Sequence, residues 1–278
     1  MYKFGLIIGA MKCGTSSLFY YLSQHPQIVP CRKKEPAFFH SFEKGFDEYL
    51  DLWEGLDLEG KILLEASTGY SMIPKKPNVA MIIQQQLENV DAHFKFIYII
   101  REPISRIESH YTHGYSKGRL LEPIEEFITP DSHLIELTRY AKQLNEYSKR
   151  FPAEDILLLC LDDLAENTLD VLKKVCSFLS IDKDFNFQVE KVYNASKKRR
   201  SYAFQSHLLN KYPLFDSMAQ AIPERARRFI SKRMTTTMKK RIRMPQEMHA
   251  KAIEYLKDDL IELRDKYGID INRWGIEL

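Results

Sequence analysis

Four short apolar runs recur along the chain, at residues 4–8, 62–64, 94–100 and 156–161. Each is too short to form an independent helix, and none alternates apolar with polar residues as a half-exposed strand does. Unbroken runs of this length are typical of strands that are buried on both faces of a parallel sheet. A shorter apolar segment covers residues 28–30.

Helical periodicity occupies the stretches between these runs. It predicts helices at residues 16–24, 79–89, 104–115, 134–150, 168–179 and 246–267. Strands that alternate with helices favour an α/β fold with a parallel sheet flanked by helices. We expect no strand after about residue 180. The pattern therefore predicts one domain over residues 1–278, with a sheet-bearing core at 1–180 and a basic loop and helical part at 181–278.

The composition is that of an ordinary soluble protein, with 44% apolar and 28% charged residues. No apolar stretch approaches the roughly 18 residues of a membrane span, and the first run leads into a glycine loop rather than a leader-cleavage site. The four cysteines form no pair at metal-binding spacing, so we expect free thiols and no metal site. These features predict a cytoplasmic protein without a membrane span.

Positive charge is concentrated late in the chain. Residues 191–243 contain 15 Lys or Arg and carry a net charge of +13, whereas the whole chain carries only +3. Part of this segment has apolar residues at helical spacing, which predicts a helix with a cationic exterior. Its exterior would be formed by Arg225, Arg227, Arg228, Lys232, Arg233, Lys239, Lys240, Arg241 and Arg243. Such a helix is either a solvated face or a dock for an acidic or carrier-bound partner.

The first loop, GAMKCGTSSL at residues 9–18, lies between a predicted strand and a predicted helix. Gly9 and Gly14 allow a tight turn, and the helix dipole with the hydroxyls of residues 15–17 favours an anion at the helix amino end. The glycine spacing is that of the P-loop of nucleoside triphosphatases, but Thr15 stands where that motif has lysine. The lysine of this loop is Lys12 instead. The pattern indicates a site for a phosphate-like group.

A second candidate segment, REPISRIESHY at residues 101–111, follows the run at residues 94–100. Ligands of open α/β sheets bind at the carboxyl ends of the strands, so we expect Arg101 to face the same ligand as the first loop. Ser109 lies further along the predicted helix. Because a guanidinium and a hydroxyl suit a terminal phosphate monoester, this segment predicts a second phosphate subsite.

With both segments in this order, the sequence resembles the family of sulfotransferases that use 3′-phosphoadenosine-5′-phosphosulfate (PAPS), particularly heparan sulfate sulfotransferases and bacterial relatives. The resemblance implies a P-loop-like fold and metal-independent sulfuryl transfer to an acceptor hydroxyl. It implies that the 5′-phosphosulfate is held by Lys12, Cys13, Gly14, Thr15, Ser16 and Ser17. It further implies that the 3′-phosphate is bound by Arg101 and Ser109, below a basic loop formed by Lys198, Arg199 and Arg200.

The acceptor side of the resemblance centres on KKEPAFF, residues 33–39. A hydroxyl that attacks sulfur must lose a proton, and the resemblance implies that Glu35 is the general base. Lys12 is then the second catalytic residue, because it neutralises the leaving group. Phe38 and Phe39 are expected to form an apolar wall beside the Glu35 carboxylate.

Substrate contacts are expected from Glu35, Phe39 and Tyr70, the last of which lies in LEASTGYS, residues 64–71. Heparan-type members often carry a histidine and a lysine where this chain has Ala37 and Ala66. The acceptor class therefore stays open, and the expected partner is a hydroxyl-bearing acceptor, acidic or carrier-bound.

Two other function classes stay open on the sequence. A kinase or nucleotide hydrolase shares the first loop, but it needs lysine after Gly14 and an acidic Mg²⁺ ligand at a strand end, for which Glu65 is the candidate. A polyanion- or nucleic-acid-binding module would use the basic segment. The aromatic residues of that segment are too few for an evident stacking platform, so nucleic acid is not the expected partner.

Overall fold

The computed structural model describes residues 1–41, 43–190, 199–201, 236–238 and 241–278. The chain divides into two compact units that interleave along the sequence. Unit 1 comprises Met1–Glu102, Glu136–Asn194 and Leu256–Leu278, and unit 2 comprises Pro103–Ile135 and Ala195–Tyr255. The expectation of one domain over residues 1–278 stays a prediction.

Unit 1 contains a sheet whose strands all run parallel. The strands are β1 (Tyr2–Gly9), β2 (Ile28–Pro30), β3 (Ile62–Ala66), β4 (Ala92–Ile100) and β5 (Ile156–Cys160). Their order is β2-β3-β1-β4-β5, which places β1 in the centre. All four apolar runs form strands, and residues 28–30 form the edge strand β2. Because the central strands are buried on both faces, they carry no apolar–polar alternation.

The helices agree with most of the predicted periodicity. They are α1 (Thr15–Leu22), α2 (Phe46–Leu50), α3 (Val79–Leu87), α4 (Pro103–Ser116), α5 (His133–Glu136), α6 (Tyr140–Ser148), α7 (Leu161–Glu166), α8 (Thr168–Leu179) and α9 (Gln246–Asp265). The predicted α/β fold, a parallel sheet flanked by helices, is confirmed. Within the described part of the chain, no helix combines the length and apolar character needed to cross a membrane.

One predicted helix is wrong, because residues 134–150 form two helices, α5 and α6, instead of one. Arg139 leaves the helical backbone with ψ 81°. The Asp259 carboxylate accepts the N–H groups of Ala141 at 3.1 Å and Lys142 at 2.8 Å. These groups lie in the first turn of α6, where a helix has no acceptor of its own. A carboxylate distant in sequence therefore caps a new helix, which local periodicity does not reveal.

The core of unit 1 is aromatic beside the start of β1. The Phe4 ring lies 5.2 Å from that of Tyr49 and 5.6 Å from that of Trp53. Trp53 is fully buried, and its indole N–H donates to the Val29 carbonyl at 2.8 Å, so the cluster also holds the edge strand. Phe39 joins the cluster through Tyr49, at 4.5 Å between ring centroids. The cluster thereby ties the segment that follows β2 to the sheet.

Unit 2 is organised around α4, whose Glu108 is buried. Its carboxylate pairs with Arg243 at 2.6 Å and accepts the N–H of Met244 at 3.1 Å. The Thr112 hydroxyl accepts the N–H of Ile242 at 3.0 Å. These bonds hold the segment before α9 along α4. Arg243, which was expected on a cationic exterior, is therefore engaged within this unit.

Two short strands correct the prediction for the late part of the chain. β6 (Arg199–Ser201) pairs antiparallel with β7 (Thr236–Met238), and β6 lies beside α4. The prediction of no strand after residue 180 is wrong, because three-residue strands are too short to show a period. The predicted cationic helix does not extend through Met238. The remainder of that helix, at residues 225–235, lies outside the described residues.

Candidate functional site

The carboxyl ends of the strands meet at one edge of the sheet, and the candidate residues of unit 1 follow four of these ends, those of β1 to β4. The loop after β1 is bonded to β4, since the Ala10 N–H donates to the Ile99 carbonyl at 2.7 Å. On the other side, the Ser67 N–H after β3 donates to the Ile7 carbonyl at 3.1 Å. The first loop therefore lies between the segments that follow β3 and β4.

The first loop has a backbone that requires glycine at two positions. Gly14 has φ 92°, and a Cβ there would lie 2.6 Å from Leu161 Cδ1. A Cβ at Gly9 would overlap the Ser71 hydroxyl. Lys12 is also in the left-handed region, with φ 73°, and is partly exposed. A residue with a Cβ pays about 1–2 kcal/mol for that conformation, so the surrounding contacts must hold the loop in place.

The amino end of α1 is suited to an anion. Gly14, which has no side chain to act as a cap, is the N-cap, and the Leu18 N–H makes its helical bond to the Gly14 carbonyl at 3.2 Å. The N–H groups of residues 15–17 therefore precede the helical ladder. Lys12 lies in the loop directly before this helix end. The arrangement fits the phosphosulfate group that the sequence predicts there.

Two residues of this loop have buried side chains. Cys13 is buried, with its sulfur 3.9 Å from the Tyr140 hydroxyl. Thr15 is also buried, whereas Ser16 and Ser17 are partly exposed. The individual donor contacts of these residues stay predictions.

Arg101 directly follows β4 and is partly exposed. Its backbone carbonyl accepts a hydrogen bond from the Tyr140 hydroxyl at 2.8 Å. Among the described residues, no carboxylate is seen to pair with the Arg101 guanidinium. Its binding to a phosphate stays a prediction.

The remaining donor candidates belong to unit 2. Ser109 is buried on α4. Arg199 and Arg200 belong to β6, which lies beside α4, while Lys198 lies outside the described residues. The joint action of Arg101 with Ser109 and with this basic segment stays a prediction.

Glu35 is about half exposed, and its carboxylate contacts polar groups. Lys34 Nζ lies 2.9 Å from one oxygen, and the Thr68 hydroxyl donates to the other at 3.3 Å. The expected apolar wall is wrong, because Phe38 and Phe39 turn into the aromatic core instead. The carboxylate that the resemblance implies as a base is thus accessible to solvent and close to a cation.

Phe39 and Tyr70, the expected substrate contacts, are both buried. The Tyr70 hydroxyl accepts the Phe39 N–H at 3.3 Å, and burial raises the pKa of this phenol well above its ordinary value. The structure therefore gives both residues a part in holding the Glu35 segment. Their direct contact with an acceptor stays a prediction.

Sequence reasoning missed two buried polar residues that support these segments. Tyr140 joins the first loop to Arg101, and Glu65 binds the hydroxyls of Tyr49 at 2.7 Å and Ser67 at 2.6 Å. Burial raises the pKa of Glu65. The available signal for Glu65 is an acid near the end of an apolar strand, which by sequence alone indicates only a candidate metal ligand. Its two oxygens are instead each occupied by a buried hydroxyl.

Known proteins are similar to this chain in sequence. The sequence model of the Sulfotransferase domain family matches residues 5–263. Heparan sulfate glucosamine 3-O-sulfotransferase 3B1 of Homo sapiens is 28% identical over 220 residues, which cover 74% of this chain and 54% of that protein. The 3A1 enzyme of Mus musculus is 28% identical over 207 residues, which cover 69% of this chain and 51% of that protein. The chain thus spans about half the length of these relatives.

A solved structure shares the fold. The sulfotransferase from Alicyclobacillus acidocaldarius superimposes with a TM-score of 0.68 at 20% identity, and the alignment covers 98% of both chains. The predicted resemblance is confirmed by the family match, which spans nearly the whole chain. On this evidence the chain belongs to the Sulfotransferase domain family.

Proposed function

We propose that this chain transfers a sulfuryl group from PAPS, the sulfate donor of its family, to a hydroxyl of an acceptor. The observation that carries the proposal is the arrangement at the carboxyl edge of the sheet in unit 1. A loop that carries Lys12 and is suited to an anion follows β1. The solvent-accessible Glu35 carboxylate accepts a hydrogen bond from Thr68, in the turn that follows the neighbouring strand β3. The two groups suit the leaving phosphate and the entering hydroxyl of one transfer step.

On the donor side, Lys12 and the N–H groups at the start of α1 would bind the 5′-phosphosulfate. Arg101 would bind the 3′-phosphate, together with Ser109 and the basic residues 198–200. As the bond between sulfur and the bridging phosphate oxygen breaks, negative charge grows on that oxygen. Lys12 and the oriented N–H groups neutralise this charge without reorganising.

On the acceptor side, Glu35 would accept the proton of the hydroxyl as its oxygen bonds to sulfur. Entering and leaving oxygens stand roughly in line in such transfers, so most of the catalysis comes from positioning and charge stabilisation. Thr68 donates to one Glu35 oxygen and orients it, and Lys34 pairs with the other oxygen. The acceptor is a hydroxyl compound of open class, and a cytoplasmic location stays a prediction.

A binding comparison tests the donor part of this proposal. Isothermal titration with adenosine 3′,5′-bisphosphate in EDTA should show binding, and ATP with Mg²⁺ should bind more weakly. Mg²⁺-dependent ATP binding without bisphosphate binding would reject sulfuryl transfer in favour of a kinase or hydrolase. Incubation with ³⁵S-labelled PAPS and a cell extract, followed by identification of the labelled product, then tests transfer and defines the acceptor.

A further inference from the structure

The segment that carries Glu35 has an unusual backbone held by three hydrogen bonds. Glu35 and Ala37 have φ 59° and 53°, in the left-handed region that residues with a Cβ rarely adopt. Every second N–H of this segment is bonded to the last residue of β3 or to the chain that follows it. Glu35 N–H donates to the Ala66 carbonyl at 2.9 Å, Ala37 N–H to the Ser67 hydroxyl at 3.0 Å, and Phe39 N–H to the Tyr70 hydroxyl at 3.3 Å.

Two of these three acceptors are hydroxyls, and both interact with the same buried carboxylate. Glu65 is fully buried, and the Ser67 hydroxyl donates to its Oε1 at 2.6 Å. Tyr49 donates to the other oxygen at 2.7 Å but makes no bond to the Glu35 segment among the described residues. The charge of Glu65 also acts on the Tyr70 phenol, where it adds to burial in raising the pKa.

The backbone N–H groups determine the direction of these bonds. A hydroxyl has one proton, and the Ala37 N–H can only donate, so the Ser67 oxygen accepts from Ala37 and the Ser67 proton is left for Glu65 Oε1. Tyr70 bonds in the same direction, because its oxygen accepts a hydrogen bond from the Phe39 N–H and its proton is left for Glu65. An amide at position 65 has one acceptor oxygen and one N–H₂ donor, so it cannot present an acceptor to both Ser67 and Tyr49 as the two oxygens of Glu65 do.

We propose that Glu65 is a positioning residue that, through the hydroxyls of Ser67 and Tyr70, holds the left-handed segment 35–39 and so places the Glu35 carboxylate. The chain of contacts runs from Glu65 to Ser67, from Ser67 to the Ala37 N–H, and from there to Glu35 two residues earlier. The catalytic part of this inference rests on the proposed function, in which Glu35 is the base.

Hydrogen exchange tests the positioning itself without any assay of catalysis. Mass spectrometry would follow the peptide of residues 33–41 in the parent and in the S67A, S67T, E65Q and Y49F variants. Loss of one such hydrogen bond is expected to speed exchange about tenfold in S67A and E65Q. S67T keeps a hydroxyl and should retain protection. Y49F removes a Glu65 bond that does not reach the segment, so it should also leave the peptide protected. Unchanged exchange in E65Q would overturn the proposal, whatever S67A shows.

Kinetics separate a positioning role from a purely structural or a catalytic one. E65Q should lower kcat about tenfold to a hundredfold, as expected for a misplaced base, while affinity for adenosine 3′,5′-bisphosphate stays within twofold of the parent. The low-pH limb of the kcat profile should persist in E65Q and disappear in E35Q. If E65Q abolishes that limb while E35Q keeps it, Glu65 is itself the base and the positioning role is overturned. If E35Q has full activity, the proposed base fails, whereas the exchange result still decides whether Glu65 holds the segment.

Discussion

The Tyr140 hydroxyl donates a 2.8 Å hydrogen bond to the backbone carbonyl of Arg101 and lies 3.9 Å from the sulfur of Cys13. One buried side chain at the start of α6 thus touches both the segment after β4 and the loop after β1. These are the two segments of unit 1 that the sequence assigns to the donor. Tyr140 therefore couples the position of one proposed phosphate subsite to that of the other.

Replacement of Tyr140 by Phe should weaken binding of adenosine 3′,5′-bisphosphate about threefold to tenfold, because one net hydrogen bond that orients Arg101 is lost. Isothermal titration measures the effect. Tyr147→Phe is the matched control, since Tyr147 also lies on α6 and donates one buried hydrogen bond, to the Tyr70 carbonyl at 2.9 Å. Equal losses of affinity in the two variants would show that only the stability of α6 matters.

Lys12→Ala should lower turnover about a hundredfold to a thousandfold, because it removes a cation that neutralises the leaving group in the transition state. Labelled PAPS and the identified acceptor provide the assay. Lys3→Ala, at an exposed lysine at the start of β1, is the control and should keep parental turnover. Near-normal activity of Lys12→Ala would remove this residue from the mechanism.

Glu35→Gln should lower turnover by about 10²–10⁴ while donor affinity persists, since the variant keeps the shape of the side chain and loses the base. Single-turnover transfer and bisphosphate titration measure the two quantities separately. Glu43→Gln, at an exposed carboxylate eight residues later, should leave both unchanged. A collapse of donor binding in Glu35→Gln would identify Glu35 as structural instead.

Arg101→Ala should weaken bisphosphate binding by about 2–4 kcal/mol, because a bound phosphate loses its charged partner. The preference for the bisphosphate over adenosine 5′-monophosphate should disappear as well. Arg150→Ala provides a control, since Arg150 pairs with Glu146 at 3.0 Å. An undiminished preference in Arg101→Ala would contradict the assignment of the 3′-phosphate to Arg101.

Asp259 should make the protein less stable as the pH rises. Burial raises the pKa of this carboxyl from its ordinary 3.8 to about 6, although the N–H groups of Lys142 and Ala141 and the nearby Arg139 oppose the rise and Glu262 adds to it. The folded state therefore holds the Asp259 proton more tightly than the unfolded state. The resulting stabilisation is complete below pH 3.8 and is lost as the pH rises through about 6.

Urea unfolding between about pH 4 and pH 7 tests this linkage. The free energy of unfolding of the parent, relative to Asp259→Asn, should fall by up to about 3 kcal/mol over this window, since Asn cannot ionise. Asp258→Asn changes an exposed neighbour on α9, and its free energy of unfolding should change with pH as that of the parent does. A constant difference between the parent and Asp259→Asn would show that Asp259 does not titrate in this range.

Local sequence was enough to predict the fold class and the strand–loop–helix form of the first loop. Strands such as β4 are buried on both faces, and such burial requires an unbroken apolar run, which the sequence shows at residues 94–100. The first loop could be predicted for a similar reason. Its glycines, its lysine and its hydroxyls act within one short strand–loop–helix segment, so their spacing in sequence is also their arrangement in space.

Tertiary structure decided the features that depend on partners far apart in the chain. The break between α5 and α6 follows from Asp259, which lies 118 positions after Ala141. The surroundings of Glu35 follow from Tyr49, which draws Phe38 and Phe39 into the core, and from Thr68, which binds the carboxylate. Periodicity records that a residue is buried but not which residue it meets. The partners of Glu65, Tyr140 and Asp259, and the direction of each hydrogen bond, therefore exist only once the chain has folded.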